Sequence, residues 1–509
     1  MVIKAINFKF NGETMITQSR NYQRLFLFTV SILVVTSMVL FLLLVSCVST
    51  VTEEQGTSVE EAAPLAVVDT EVILQDGNSL PKTRIEYKQA KELLDNHISD
   101  LMCIVAPNPH FNTEQAYENL ADNLNQLGIK WTRLSIDWLD GTEAEEAGTH
   151  SEFYINPLQD YYINELTERE IKVIYLLNFW DADIKNIAYE PSFSRFRTEE
   201  EIQRYLDYAR FIVGHFKDII KYYEILNEPN NACPIQYTEL EEYLNLIRRV
   251  VPVIKDECPD CKVIVGEISA LEMEDTGSLE YLLGIVGSDV MSIVDGVNWH
   301  PFWDVSPECY PDYYYGYPDM VETFRNMAIS NGFQGNFYAS EMMWSTGGPT
   351  WPIRHKYSEI AGAKYTARGI IMNWGLNCWP GASICPEPSF IEEYPFMRVI
   401  KNLCNVLAGT EPIDLPVRVE TEAINLKNYS FSLPNGDKLI ALWTDGVAVD
   451  DDPGINTTLM ISSIATQKVI GVDVLNGFEQ ELVTNTEDGN LVIENLLVKD
   501  YPIILRLVH

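Results

Sequence analysis

Tyr222-Tyr223-Glu224-Ile225-Leu226-Asn227-Glu228-Pro229-Asn230 decides how the rest of the chain is read. An apolar run, residues 222–226, ends in Asn-Glu-Pro-Asn. The run suits a buried strand. Pro229 lacks the N–H that a sheet ladder needs, so the strand should stop beside Glu228. A carboxylate is then held at the C-terminal end of a strand, where a parallel barrel keeps its reactive groups. Asn227 beside it can hydrogen-bond a hydroxyl. Taken alone, the same residues also describe a capped turn after a strand, and the surrounding chain has to separate the two.

Around this stretch, strand and helix patterns alternate through eight rounds. The strand candidates are 101–106, 129–137, 171–178, 219–227, 261–268, 293–300, 336–341 and 376–382. Most are continuous runs of Val, Ile and Leu rather than alternating, as strands buried on both faces are. Helical patterns lie between them. In 112–128, Ala116, Leu120, Leu124 and Leu127 recur at helical spacing, and Gly128 can close the helix. Thr198-Glu199-Glu200-Glu201 is a capping box that opens a helix running to Phe216. Alternation of this kind predicts an α/β fold, a (β/α)8 TIM barrel over residues 100–409. A doubly wound open sheet would want a glycine-rich phosphate turn after an early strand, and the sequence has none.

Beyond residue 410 the pattern changes. Tyr429-Ser430-Phe431-Ser432-Leu433 alternates, Pro434-Asn435-Gly436-Asp437 turns, and 438–443 returns, which is a hairpin signal. Further short strands are predicted around 468–475, 479–483, 491–494 and 503–508. Residues 410–509 therefore read as an all-β, sandwich-like module. Residues 65–99 read as an N-terminal extension packing on the barrel or on this module, with 65–74 as a possible extra strand.

The N-terminus carries a different signal. After a leader with Lys4, Lys9, Arg20 and Arg24, residues 25–46 hold no charge. As a helix they would span about 33 Å, enough for a bilayer core. The run ends in Leu44-Val45-Ser46-Cys47, which resembles a bacterial lipobox with Cys47 as the lipidated residue. Residues 1–47 thus read as a signal peptide and lipoprotein anchor, and 48–64, rich in Ser, Thr and Glu, as a disordered tether. An uncleaved anchor or plain secretion are the alternatives. Each places the body outside the cytoplasm, with the basic flank inside.

Composition narrows the function classes. With 36 Lys+Arg against 74 Asp+Glu the net charge is -38, so the chain repels nucleic acid, and no basic stripe offsets this. Hydrophobic residues make up 46%, enough for a sizeable core in 509 residues. If Cys47 is lipidated, eight of the nine cysteines are left for disulfides or free thiols. Cys258-Pro259-Asp260-Cys261 lacks the two further ligands of a zinc site, so a local disulfide or free thiols fit better and no metal is implied. His-Glu-x-x-His, Gly-x-Ser-x-Gly and P-loop motifs are absent from the sequence. Neither an organic cofactor nor an obligate protein partner is implied.

A barrel brings its strand ends to one mouth. Strand two contributes Arg133. Strand three ends in Asn178-Phe179-Trp180, strand four in Asn227-Glu228, strand six in Asn298-Trp299-His300-Pro301-Phe302. Strand seven ends in Ser340-Glu341-Met342-Met343-Trp344, and strand eight carries Trp379. Glu228 and Glu341 are thus two carboxylates on non-adjacent strands that face one mouth. Glycoside hydrolysis needs such a pair: one acid protonates the leaving oxygen, the other attacks the anomeric carbon. The acid's pKa is expected to be raised by its neighbour's charge and by partial burial. Glu341 and Arg133 could instead form a structural ion pair, and His300 could merely shape the pocket. The aromatic residues Trp180, Trp344, Trp351 and Tyr310, Tyr313, Tyr314, Tyr315 and Tyr317 read as mouth loops whose rings stack on sugar faces, or as packing on the rim.

These residues resemble clan A of the glycoside hydrolases, the retaining (β/α)8 enzymes, and within it the cellulase-like and the β-xylosidase/α-iduronidase-like families. The resemblance covers about residues 100–405. Asn227-Glu228-Pro229 matches the clan's acid/base motif, which implies Glu228 as acid/base and Asn227 as partner of the sugar 2-hydroxyl. Ser340-Glu341 followed by Trp344-Ser345-Thr346 matches the nucleophile motif and implies Glu341 as nucleophile. Arg133 matches an arginine that supports the nucleophile, and Trp379 a tryptophan under the reacting sugar. His300-Pro301 matches a motif that usually continues with Tyr. Here Phe302 follows, so a phenol that normally bonds the nucleophile is missing, unless a nearby tyrosine replaces it. The implied function is a surface-anchored glycosidase acting on a β-linked carbohydrate. A catalytically impaired carbohydrate-binding lipoprotein and a transglycosylase share the same residues and are the alternatives.

Overall fold

The computed structural model describes residues 75, 83–84, 102–105, 113–135, 153, 155–179, 194–231, 237–269, 271, 277–346, 355–384, 394–462 and 466–509. By internal contacts the chain divides into residues 1–69 and 70–509, and every described residue lies in the second unit. The apolar run 25–46, Cys47, the segment 65–74, Trp180 and Trp351 lie outside the described residues. Among those described, no helix is long and apolar enough to cross a membrane.

Eight parallel strands close a barrel: β2 (Met102–Val105), β3 (Trp131–Ser135), β4 (Lys172–Leu177), β5 (Tyr222–Ile225), β6 (Lys262–Ile268), β7 (Gly296–Trp299), β9 (Asn336–Ala339) and β11 (Trp379–Ile384). Each overlaps one of the eight predicted runs, and β11 starts three residues and ends two residues later than predicted. Closure comes from β11, which pairs with β9 at Trp379↔Tyr338 and with β2 at Gly381↔Met102. Two short strands, β8 (Phe302–Trp303) and β10 (Met342–Met343), pair in parallel as a separate ribbon. The outer helices are α1 (Glu114–Leu127), α2 (Pro157–Glu168), α3 (Glu199–Phe216), α4 (Leu240–Glu257), α5 (Ser278–Val286), α6 (Pro311–Ser330), α7 (Glu359–Gly375) and α8 (Pro395–Val406). Their starts follow the sequence. Thr113 and Thr198 accept from Ala116 N and Glu201 N, and Gly128 closes α1 in the left-handed region at φ 81°.

The C-terminal region is antiparallel. A seven-stranded sheet runs β1-β18-β17-β21-β15-β14-β12, where β1 is Thr83–Arg84, β12 Glu411–Ile413, β14 Leu426–Ser432, β15 Lys438–Thr444, β17 Lys468–Asp473, β18 Phe478–Leu482 and β21 Ile503–Val508. A four-stranded sheet runs β13 (Val417–Thr421), β16 (Ile455–Ser462), β20 (Asn490–Val498), β19 (Asn485–Glu487). The predicted hairpin is β14–β15, from Leu426↔Thr444 to Ser432↔Lys438. Thr83 and Arg84 pair with Glu479 and Phe478, and Gln75 bridges Leu496, so these described parts of the extension join the β module.

Helix α7 carries the junction with the β sheets. Arg368, buried, donates from Nε to Asp500 O at 2.9 Å and from Nη1 to Gly446 O at 2.6 Å. Lys364 stands 2.7 Å from Asp500 Oδ1. From α6, Tyr314 donates to Asp445 Oδ1 at 2.7 Å and Tyr315 to Asp445 O at 2.8 Å. Cys258 and Cys261 form a disulfide in the turn after α4.

Candidate active site

Strand alternation sends residues i and i+2 to one face, so each barrel strand offers successive inward layers. The layer toward the strand starts is aromatic. Trp131, Ile174, Ile264 and Tyr338 are buried together, with Tyr222 and Trp379 packed on them. Trp131 and Tyr338 each meet Trp379 at 5.2 Å between ring centroids, edge to face. Trp379 is the first residue of β11, which runs on to Ile384. It therefore plugs the barrel floor and does not stand at the mouth, which corrects its placement under a sugar.

Two residues further along the strands, the lining becomes ionic. Arg133 is buried on β3 and holds four partners. Its Nε donates to Glu224 Oε2 at 2.7 Å, and Nη2 donates to Asn227 Oδ1 at 2.9 Å and also to Glu267 Oε2. Its Nη1 lies 3.5 Å from Glu341 Oε2. Asn298 donates to Glu224 Oε1 at 2.7 Å and to Glu267 Oε1, which also accepts from Ser340 Oγ at 3.0 Å. Asn178 Oδ1 accepts from Asn227 N at 2.8 Å and so fixes the turn that carries Glu228.

His300 spans the reactive end of this cluster. Its Nδ1 is 3.1 Å from Glu228 Oε1; its Nε2 is 2.7 Å from Glu267 Oε2 and 3.4 Å from Glu341 Oε2. Both ring nitrogens face carboxylates, and only an imidazolium donates at both. Asn231 Nδ2 donates to Glu228 Oε2 at 2.8 Å. Of the four glutamates, Glu224 and Glu267 are wholly buried, whereas the Glu341 and Glu228 side chains are 18% and 20% exposed.

The charges set the proton inventory. Burial alone would lower the basicity of Arg133, but Glu267, Glu224 and Glu341 outweigh it, so the guanidinium stays charged. Burial also opposes the charged form of His300, yet Glu341 and Glu267 raise it well above the usual imidazole range. Glu224 is pushed well up by burial and by the Glu267 charge, with Arg133 offsetting part of this. Glu267 goes down: Arg133 and His300 outweigh its burial. Glu228 is held below the ordinary glutamate value too. Burial would raise it, but the hydrogen bond and charge of His300, then Asn231, prevail. This is opposite in direction to the expectation of a raised Glu228; the group of the pair that is raised is His300.

Backbone geometry at the strand ends is unusual. Leu226, Glu228 and Glu267 take φ of 60°, 45° and 53°, a region costly for residues with a Cβ. Glu267 is the extra residue of a β-bulge, because Gly266 pairs with Asn298 and Ile268 with Trp299. Gly266 has φ +112°, and a Cβ there would come within 2.2 Å of the Asn298 carbonyl oxygen. The Gly-Glu bulge is what brings Glu267 into the barrel.

Sequence reasoning placed Arg133, Asn178, Asn227, Glu228, His300 and Glu341, and the structure brings all six together. It gave no site role to Glu224, Glu267 or Asn298. A carboxylate inside the run 222–226, and a Gly-Glu pair inside the buried strand 261–268, were the available signals, since buried charges must be paired. Trp344 also needs correction. Its ring is buried against Phe302 and Tyr365, at 5.9 and 6.1 Å, and its indole donates to Val305 O at 2.7 Å, so it braces the loop beneath the mouth. The tyrosines 313, 314, 315 and 317 lie on α6 rather than in a loop. Their hydroxyls go to Pro301 O, Asp445 Oδ1, Asp445 O and Asn373 Oδ1, so none of these four replaces the phenol missing at Phe302. Among the described residues, His300 and Arg133 are the cationic groups that face Glu341.

Known proteins agree with this architecture. The profile described as glycosyl hydrolase family 1 matches residues 110–242, which include Arg133, Asn178 and Asn227-Glu228 and end before His300 and Glu341. Furostanol glycoside 26-O-beta-glucosidase of Hellenia speciosa is 28% identical over 209 residues, covering 36% of this chain and 35% of that protein. A wheat (Triticum aestivum) benzoxazinyl glucoside beta-D-glucosidase, chloroplastic 1b, is 29% identical over 133 residues, 25% of this chain and 22% of its own. The chain thus spans about a third or less of the length of these curated relatives. In fold, it is similar to a family 39 glycoside hydrolase from Bacteroides cellulosilyticus WH2, with TM-score 0.57 at 15% identity over 81% of each chain. A monomeric beta-xylosidase from Caulobacter crescentus CB15 gives TM-score 0.50 at 13% identity over 81% of this chain and 96% of that one. Over part of its sequence and in its fold, the chain resembles the glycoside hydrolases of clan A.

Proposed function

We propose that the protein is a retaining glycoside hydrolase that cleaves a β-linked glycoside by double displacement. One observation carries the reading. Of four glutamates in one charged cluster, Glu228 and Glu341 alone reach solvent, and they flank a single imidazole. Glu341, held by Arg133 and His300, is the nucleophile. Its carboxylate attacks the anomeric carbon while the leaving oxygen departs with a proton from Glu228. Water then gives its proton to Glu228 and displaces Glu341. Asn227, oriented by Arg133 and Asn178, suits the sugar 2-hydroxyl. The β linkage is suggested by the beta-glucosidases among the curated relatives and by the beta-xylosidase fold.

Azide rescue tests the assignment with an activated aryl β-glycoside. E228A with azide is expected to release the β-glycosyl azide, since azide attacks the glycosyl-enzyme without needing a base. E341A is expected to release the α-glycosyl azide, formed by direct displacement. Loss of sugar binding in both variants, or wild-type protein without turnover on any glycoside, contradicts the proposal and favours a carbohydrate-binding protein. We further propose that residues 25–46 and Cys47 tether the protein to the outer face of a membrane. C47A is expected to abolish incorporation of labelled palmitate, and unchanged labelling contradicts the tether.

A further inference from the structure

We propose that Glu267 is a positioning residue that makes His300 the proton store for Glu228; this rests on the reading of Glu228 as acid/base. The geometry is a chain. Glu267 accepts from Nε2 of His300 at 2.7 Å, and Nδ1 of the same ring points at Glu228 Oε1 from 3.1 Å. Glu267 cannot turn away from the ring. Arg133 and His300 share its Oε2, Asn298 and Ser340 share its Oε1, and the bulge at Gly266 fixes its backbone. The groups facing His300 are Glu228 from the turn after β5, Glu267 from the end of β6 and Glu341 from the turn after β9. Arg133 on β3 stands behind two of them, and Glu224 on β5 faces Glu267. Three carboxylates against one imidazole keep the second ring proton in place, so the proton missing from Glu228 is one hydrogen bond away.

In the first half-reaction the Nδ1 proton passes to Glu228, which delivers that proton to the leaving oxygen. His300 is left neutral, with its Nε2 proton donated to Glu267. Meanwhile the Glu341 carboxylate becomes an ester. In the second half-reaction the proton of the attacking water passes through Glu228 back to Nδ1, and Glu341 is released as carboxylate. Atoms and charges balance without a co-reactant.

The test is the pH profile of kcat/KM on an aryl glycoside with a poor leaving group. Removing the Glu267 charge lowers the proton affinity of the His300–Glu228 pair, so E267Q is expected to shift the alkaline limb downward by about one pH unit or more. E267D, which restores the charge, is expected to return the limb toward wild type. On a dinitrophenyl glycoside, which needs no acid, E267Q is expected to lose a smaller share of its rate than on the poor leaving group, and its alkaline limb is expected to shift less. An E267Q limb that coincides with wild type overturns the proposal, because a purely structural role lowers the rate at all pH values alike. If E267Q does not fold, nitrogen NMR on 15N-histidine-labelled wild type decides, with H300Q giving the assignment. A doubly protonated His300 ring at pH 7.5 is expected, and a neutral ring there overturns the proposal. Absence of wild-type turnover on any glycoside would instead contradict the function itself.

Discussion

On β3, Trp131 and Arg133 enter the same barrel interior two residues apart. On β5 Tyr222 and Glu224 do so, and on β9 Tyr338 is followed by Ser340 beyond the strand end. The floor layer is held by ring edges and apolar area; the layer above it is held by charge pairing among groups almost wholly out of water. The floor can be cut away for a cost in stability alone. The upper layer cannot, because any deletion leaves a buried charge without its partner.

Removing Arg133 should break this contrast most severely. R133M leaves buried Glu267 with His300 alone as its cation and takes the charge partner from Glu224, and about 3–5 kcal/mol of stability should be lost at pH 7. Activity should fall with it, since Asn227 and Glu341 lose their anchor. The deficit has a pH signature. Glu267 is depressed in the folded wild type, so its stabilisation is present above the unfolded value and is lost as pH falls toward the folded one. The gap between wild type and R133M should therefore be widest at neutral pH and narrow below about pH 4.3. Urea titrations at several pH values measure it, and a gap independent of pH contradicts the pairing.

The floor counterpart is W379A. Loss of its packing on Trp131 and Tyr338 should cost about 3–5 kcal/mol. Turnover by the folded fraction should stay within about threefold in both kcat and KM, because the ring does not meet substrate. Steady-state kinetics below the unfolding transition check this. A large rise in KM would return Trp379 to the mouth.

A smaller effect should come from H300Q, seen in the shape of the stability curve. The folded pKa of His300 lies above its unfolded value, so its contribution is complete below about pH 6.5 and declines as pH rises toward the folded value. H300Q should remove that decline and give a flatter Tm against pH above 6.5. A curve parallel to wild type contradicts a charged His300.

The contrast between layers also explains what the sequence made legible. Eight buried strands are visible because each is an apolar run between helical patterns, and physical closure of the barrel then brings Arg133, Asn227, Glu228, His300 and Glu341 to one mouth. Depth along a strand is harder to read. Trp379 and Arg133 look alike as strand residues, yet one sits at the first residue of β11 and the other at the third of β3. Glu267 was hidden because a bulge shifts alternation by one residue, and no propensity marks it beyond the glycine before it. Tyr313, Tyr314, Tyr315 and Tyr317 read as rim aromatics because they closely follow strand six, yet they lie on α6, where Pro311 stands in the first turn and its missing N–H costs nothing. Strand β13 was missed because alternate positions are exposed and carry Arg418 and Glu420, leaving too few large apolar side chains to notice.

Trapping the glycosyl-enzyme tests the central claim most directly. The full-length protein would be incubated with 2-deoxy-2-fluoro β-glycosides bearing good leaving groups, and the adduct mapped by intact mass and peptide sequencing. The account predicts one sugar per chain, attached to Glu341. A sugar on Glu228 or Glu267, or turnover of aryl glycosides with inversion at the anomeric carbon and no adduct, would contradict it.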